Sequence, residues 1–429
     1  MEGSSVTTLA ERVQAAGLRN GTHVYLLESH THPTVDLVGF IEGGLFIEDP
    51  LQAGVANLSI SMLDRGTRRR DQAAISEALE SNGARLSYGL TPEVVILRGR
   101  CLSEDLELLL DILGDTLLAP TFPENELRLV KEEAQAGLRE AAFDTYARAH
   151  DRGSDLLLGR DHPYARDPLG REEILDELER SDLEVYHRAA VAGARMWLAV
   201  VGDFDPGRML ALLEQSVGAL PRGEELALGQ RQGLFPTGIR REHVHIADKE
   251  QVDIVFMRPG VSRTDPRFDA FAVANFLFGG SFVSRLNLQL RDAEGLTYGA
   301  QSTVISGLHP GFWCAYVGVN PSHVEKAVEG TLREMERFAE EGVRESELEI
   351  AQQHLTGSFP IKLETNRAVA AVLLDGIRSG RGLDFIDRYA EYVRGVTPAQ
   401  VNEAARSMLS MRDVVIASAG TRLSQGVTL

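Results

Sequence analysis

The chain has 429 residues, of which 43% are hydrophobic and 25% charged, with 44 Lys+Arg against 63 Asp+Glu for a formal net charge of −19. Those are globular proportions at about three times the commonest domain length, which excludes a disordered chain, a collagen-like fibre and a disulfide-stapled miniprotein and favours two or three domains. The net charge repels nucleic acid and anionic membranes, and no basic stripe with interleaved aromatics offsets it, so neither is expected as a partner.

The longest apolar runs, residues 94–97 and 197–201, fall far short of the roughly 20 residues that cross a bilayer. Residues 1–12 show no basic stretch followed by an apolar one, so no secretory signal is read and the cytoplasm is the expected compartment. Cys101 and Cys314 offer neither a disulfide framework nor a cysteine-based zinc site. The acidity is uneven. Residues 1–221 hold 21 Lys+Arg against 37 Asp+Glu, and residues 222–429 hold 23 against 26.

Taken in chain order, β-branched and aromatic stretches at 22–27 and 34–40 read as strands, followed by helical patterns at 54–64 and 71–81. Leu106, Leu109, Ile112, Leu113 and Leu117 place an amphipathic helix over 105–118, and a longer, more polar helix is expected over 123–151. A helix over 171–189, a strand over 196–201 and a helix reaching residue 220 close the first half. Residues 222–236 have neither period and carry turn residues, so they read as a linker between domains at 1–221 and 237–429.

After the linker the order begins again. Asp49-Pro50 leading into Val55-Ala56-Asn57 has a counterpart in Asp265-Pro266 leading into Val273-Ala274-Asn275, and Glu124-Asn125-Glu126-Leu127 has one in Glu345-Ser346-Glu347-Leu348. Ordered matches at a slowly growing offset point to a tandem duplication of a unit of about 210 residues.

Residues Gly54-Val55-Ala56-Asn57-Leu58-Ser59-Ile60-Ser61-Met62-Leu63-Asp64-Arg65-Gly66-Thr67 resemble the zinc-binding helix of the pitrilysin and mitochondrial processing peptidase family, the inverzincins. The resemblance extends through His162-Pro163-Tyr164 and Gly170 to Phe278-Gly279-Gly280-Ser281, Ser284-Arg285-Leu286 and Gly295-Leu296-Thr297-Tyr298. It implies an α+β fold: two homologous domains, each a largely antiparallel sheet packed with helices, arranged as a clamshell. In the family a His-x-x-Glu-His motif holds zinc and polarises its water. Here the three positions are Asn57, Ile60 and Ser61, none of which supplies an imidazole or a proton-transfer carboxylate.

The resemblance also implies that Glu126 and Glu133, seven apart on one helix, are the residual carboxylates of the third-ligand region. Arg291 and Tyr298 match the pair that holds the substrate carbonyl and its developing oxyanion. The pairs His30/His32 and His243/His245 provide two imidazoles each, short of a metal site. Metal binding by this chain is therefore not expected, and zinc is expected in a partner.

Three functions follow. The chain is a non-catalytic subunit, inert alone, of a metallopeptidase that cleaves unfolded peptides with a homologous zinc-bearing chain, as a heterodimer. Alternatively it is a peptide-binding or structural scaffold, with or without homodimerisation. Least expected is an independent zinc peptidase with unrecognised ligands. The acidic first domain suggests a preference for basic peptides.

Overall fold

The computed structural model describes residues 8–226, 229 and 231–421. The linker reading therefore includes three positions, 227, 228 and 230, outside the described residues, and residues 1–7 of the amino-terminal reading lie outside them as well. Among the described residues no helix is long and apolar enough to cross a membrane.

The fold is mixed α and β, built on two sheets packed with helices. The first sheet contains β1 (Gln14–Gly17), β2 (His23–Glu28), β3 (Thr34–Glu42), β4 (Arg85–Leu90), β5 (Val94–Leu102) and β6 (Met196–Gly202), in the order β1-β2-β6-β3-β5-β4. The second contains β7 (Arg240–His245), β8 (Val252–Pro259), β9 (Ala300–Ile305), β10 (Phe312–Val319) and β11 (Val415–Gly420), in the order β7-β11-β8-β10-β9. With β1 set aside, the two orders match strand for strand. Each has one parallel pair, β2 with β6 and β7 with β11, and antiparallel pairing elsewhere. The helices Glu124–Ala141 and Glu345–Lys362, both of 18 residues, begin at the two ends of the third sequence match. The repeat read from short motifs is thus also a repeat of topology.

The chain forms two compact units, and each draws on both sides of the 222–236 segment. One consists of Met1–Leu138, Asp167–Gly229 and Pro360–Arg388; the other of Arg139–Arg166, Gln230–Phe359 and Tyr389–Leu429.

In the first unit, alternation along the strands sends Val35, Leu37 and Ile41 of β3 and Val95, Leu97 and Cys101 of β5 into one core, against helices such as Leu106–Leu118. Burial pushes the Cys101 thiol up to about 12, so it is an inert core group. The opposite face of β3 and β6 is covered by the helix Asn366–Arg378, which turns Ala370, Leu373 and Leu374 inward.

In the second unit, Ile254 and Phe256 of β8 and Trp313 and Ala315 of β10 face one core. The other face of that sheet is covered by the helix Thr145–Leu158. Gly153 allows this close approach, because a Cβ there would sit 2.9 Å from Met257 Sδ and 3.0 Å from Val255 Cγ2.

Two elements differ from the sequence reading. The single helix expected over 123–151 is two, Glu124–Ala141 and Thr145–Leu158. Asp144 adopts an extended ψ of 120° and its carboxylate accepts from Ala147 N at 2.7 Å, so it stops one helix and caps the next. The break falls shortly after Leu138, where the chain leaves one compact unit for the other. The helix expected over 171–189 is likewise Glu172–Leu175 followed by Arg180–Ala190, parted by buried Leu178 and a capping box between Glu179 and Asp182.

The helix Asn366–Arg378 is anchored by charge as well as by apolar contact. Arg378 donates to Glu93 at 2.9 Å and lies 3.6 Å from Glu42, with all three side chains largely buried. Removing the guanidinium leaves buried carboxylates less compensated. Arg378→Ala is therefore expected to lower the unfolding free energy by about 3 kcal/mol, read from urea denaturation curves; an unchanged midpoint would show the pair to be dispensable.

Candidate functional site

The motif helix, Val55–Ser61, begins at Gly54, whose φ of 109° only glycine adopts without strain. Its first amides are satisfied by Glu48, whose Oε1 accepts from Gly54 N at 2.9 Å and Ala56 N at 3.0 Å. It ends three residues earlier than the sequence pattern suggested, at the Met62 cap. Val55, Ala56, Leu58 and Ile60 are buried in the core of the first unit. Ile60 is 3% exposed, while Asn57 and Ser61, one turn apart on the same face, are half-buried.

These residues do not fit zinc. Neither Asn57 nor Ser61 is an imidazole, and the position between them is an apolar side chain locked into packing. Among the described residues, no group of three or more His, Cys, Asp or Glu side chains is placed to hold a metal ion.

Glu126 and Glu133 do come together, but around an arginine. Arg65 Nη1 lies 3.6 Å from Glu126 Oε2, and Arg65 Nη2 donates to Glu133 Oε2 at 3.3 Å. A guanidinium thus supplies the positive charge between the two carboxylates, and Glu133 remains mostly exposed. Arg65 was not singled out from the sequence, although its position one turn beyond Ser61 was a usable signal.

The other proposed pair lies in the second unit. Arg291 belongs to a π-helical turn, Leu288–Ala293, and a second such turn, Phe276–Gly280, includes the glycine pair. The i→i+5 turn is uncommon and concentrates at functional sites. The Arg291 guanidinium lies 4.0 Å above the Phe282 ring and 3.8 Å from Asp292. Tyr298 is 98% exposed, and its phenol makes no hydrogen bond among the described residues. Phe282, Val283 and Leu288, which lie in sequence between the glycine pair and Arg291, are also exposed. Glycines 279 and 280 are tight structural positions, since a Cβ on Gly279 would meet Ser302 Oγ at 2.6 Å and one on Gly280 would meet Asn275 at 3.1 Å.

The remaining histidines take other roles. His243 Nδ1 pairs with Ser418 Oγ at 2.9 Å, whereas His245 is exposed at the end of β7. His30 is bracketed by Asp203 at 2.5 Å and Glu28 at 2.8 Å, and Asp203 also accepts from Ser103 at 2.9 Å. This cluster, unnoticed in the sequence because 173 positions separate His30 from Asp203, ties three loops at one end of the first sheet.

Two family models match the chain. Residues 23–150 match "Insulinase (Peptidase family M16)" and residues 177–355 match "Peptidase M16 inactive domain", together more than half of its length. The chain belongs to peptidase family M16. An uncharacterized zinc protease of Streptomyces coelicolor is 27% identical over 85% of this M16 chain and 80% of its own length. The non-peptidase homolog YmxG of Helicobacter pylori is 24% identical over 91% and 90%. A crystal structure of a peptidase M16 inactive domain from Pseudomonas fluorescens superposes with a TM-score of 0.89 at 25% identity, covering 97% of this chain and all of that one. Asn57, Ile60 and Ser61 lie within the residues that match the insulinase model, not within those that match the inactive domain.

Two measurements check this description. Restoring the motif's glutamate alone, Ile60→Glu, places a carboxylate at a position 3% exposed with an apolar surround, and is expected to lower the unfolding free energy by about 3 kcal/mol in urea titrations. The hydrogen bonds that protonated His30 donates to Asp203 and then to Glu28 raise its pKa above 6.5. A raised folded pKa makes the associated stability fully present below pH 6.5 and lost as pH rises through the folded value. His30→Gln is expected to flatten the dependence of Tm on pH in that window, and identical Tm profiles for variant and wild type would remove the cluster from the stability account.

Proposed function

We propose that the chain is a non-catalytic M16 subunit that contributes Arg291 and Tyr298 to a composite peptidase site, completed by a homologous chain with an intact His-x-x-Glu-His motif. The observation that carries this reading is the state of the pair. Tyr298 presents a phenol to solvent with no internal hydrogen bond among the described residues, and Arg291 rests on an exposed aromatic ring rather than in a carboxylate fork. Neither arrangement stabilises the unit much by itself. Both leave strong donors available for a group from outside the chain.

The chemistry suits an acyl-transfer oxyanion. Guanidinium and phenol donors aimed at a carbonyl oxygen stabilise charge that develops in the transition state. The metal and the activated water come from the partner, because Asn57, Ile60 and Ser61 supply neither. The exposed Phe282 beneath Arg291, with exposed Val283 and Leu288 in the same stretch of chain, gives a peptide or partner apolar surface to cover.

A second reading, a peptide-binding protein acting without a peptidase partner, is favoured by β4. It is the end strand of its sheet, and its outer edge has no neighbouring strand among the described residues. An extended peptide can add to such an edge through main-chain hydrogen bonds. The two readings share peptide engagement and differ in whether cleavage follows.

Reconstitution separates them. The chain alone is expected to leave an unfolded peptide intact. Mixed with a zinc-bearing homologue that copurifies from the native host, it is expected to raise kcat/KM, and Arg291→Ala and Tyr298→Phe are each expected to lower that rate by about 100-fold. Full retention of rate by both variants would remove the pair from the mechanism. Recovery of the chain without such a homologue would favour the second reading.

A further inference from the structure

A cavity of about 1170 Å³ lies across the β4 edge, wholly within the first compact unit. Its lining carries Arg85, Arg98, Arg100 and Arg367, with Asp64 and Glu80 as its acids. Arg65 also reaches it but is committed to Glu126 and Glu133.

Strand parity accounts for the clustering. Leu86 and Tyr88 of β4 and Leu97 and Cys101 of β5 turn to the core, so Arg85, Arg98 and Arg100 fall on the opposite face. The register sets Arg85 directly opposite Arg100, and Ser87 opposite Arg98. The helix Asn366–Arg378 covers that face over β3 and β6 and brings exposed Arg367, in its first turn, to the cavity.

This arrangement is unfavourable for the isolated fold. Like charges directly opposite in a ladder repel, and arginine at the start of a helix opposes the dipole. Arg85, Arg98 and Arg367 form no ion pair among the described residues, and Arg100 has only Asp36 at 4.0 Å. Asp36 lies buried with its Oδ1 lacking a hydrogen-bond donor. In a chain of net charge −19, with its acidity concentrated in the first half, four arginines sharing one cavity and one weak carboxylate contact stand against the overall field.

We propose that this cavity selects acidic peptides: an extended segment added along β4, with Asp or Glu at alternate positions facing Arg85, Arg98, Arg100 and Arg367. Residues two apart on an extended chain share one face, so alternate carboxylates meet the arginine face while the intervening side chains turn towards Ile75 and Leu79. Guanidinium groups are matched to carboxylates in geometry and charge, and here they are already clustered before the ligand arrives. The preference runs opposite to the one suggested by the net charge of the first half. It rests on the reading of the chain as a peptide-engaging M16 subunit and names the peptide that subunit takes.

The test is fluorescence anisotropy on the full chain with three short labelled peptides, identical except for Glu, Gln or Lys at alternate positions. The Glu peptide is expected to bind about tenfold tighter than the Gln peptide, with the Lys peptide weakest, and this advantage is expected to vanish in high salt. Arg85→Gln/Arg98→Gln is expected to bring the Glu peptide down to the affinity of the Gln peptide, and Arg85→Glu/Arg98→Glu to reverse the order in favour of Lys. Arg208→Gln, an exposed arginine of the same unit paired with Glu107, serves as the control that keeps the preference. Circular dichroism melting confirms that each variant is folded. Equal binding of the Glu and Gln peptides would overturn the acidic preference while leaving peptide engagement standing. Failure of all three peptides to bind would overturn both.

Discussion

Each sheet of this protein has two faces to bury, and that requirement organises the rest. In the first sheet, one face of β3 and β5 packs on a core of leucines, isoleucines and valines, while the other face of β3 and β6 is closed by Asn366–Arg378. In the second, the helix Thr145–Leu158 closes the face opposite the Phe256 and Trp313 core. Each covering helix comes from the other side of the 222–236 segment, so neither stretch of sequence flanking that segment covers both faces of its own sheet. Burying a large aliphatic side chain stabilises by about 1.5–3 kcal/mol, so an uncovered face is a serious deficit. The helix break at Asp144 and the close-packed Gly153 follow from the same need.

The departure from the zinc motif is also a packing event. The position between Asn57 and Ser61 carries a buried isoleucine, integrated into the core of the first unit. Nearby, Glu126 and Glu133 of the helix Glu124–Ala141 hold Arg65 by charge. A side chain of the chain itself therefore offsets part of the local negative charge. The buried carboxylate Glu48 still caps the helix, so its entry geometry persists without the ligands.

The second unit shows the opposite economy. Arg291 sits in a π-helical turn and Tyr298 in the loop before β9, and their polar ends are largely unengaged within the chain. The first unit's arginine-lined cavity has the same character, with like charges held on one face by register. In both places the fold retains local repulsion or exposure that packing alone does not require. Such local conflicts are expected where function, more than stability, sets the residue.

Much of this was legible in the sequence. Apolar periodicity set the strands at 22–27, 34–40 and 196–201 and the helices at 54–64, 71–81 and 105–118 to within a few residues, and three ordered motif matches anticipated a repeat that the matching strand orders display. The identities at positions 57, 60 and 61 sufficed to read the missing imidazoles, because ligand chemistry is a property of residue type. What the sequence did not disclose were relations across long separations. That Arg65 bridges Glu126 and Glu133, that His30 meets Asp203, and that Arg85 opposes Arg100 depend on pairing and helix placement. Even the single polar pattern over 123–151 hid a division between two compact units. Residue type and local period determine which elements form and which chemistry is available; only the tertiary structure decides which charges meet, because that is settled by strand register and by which helix covers which face.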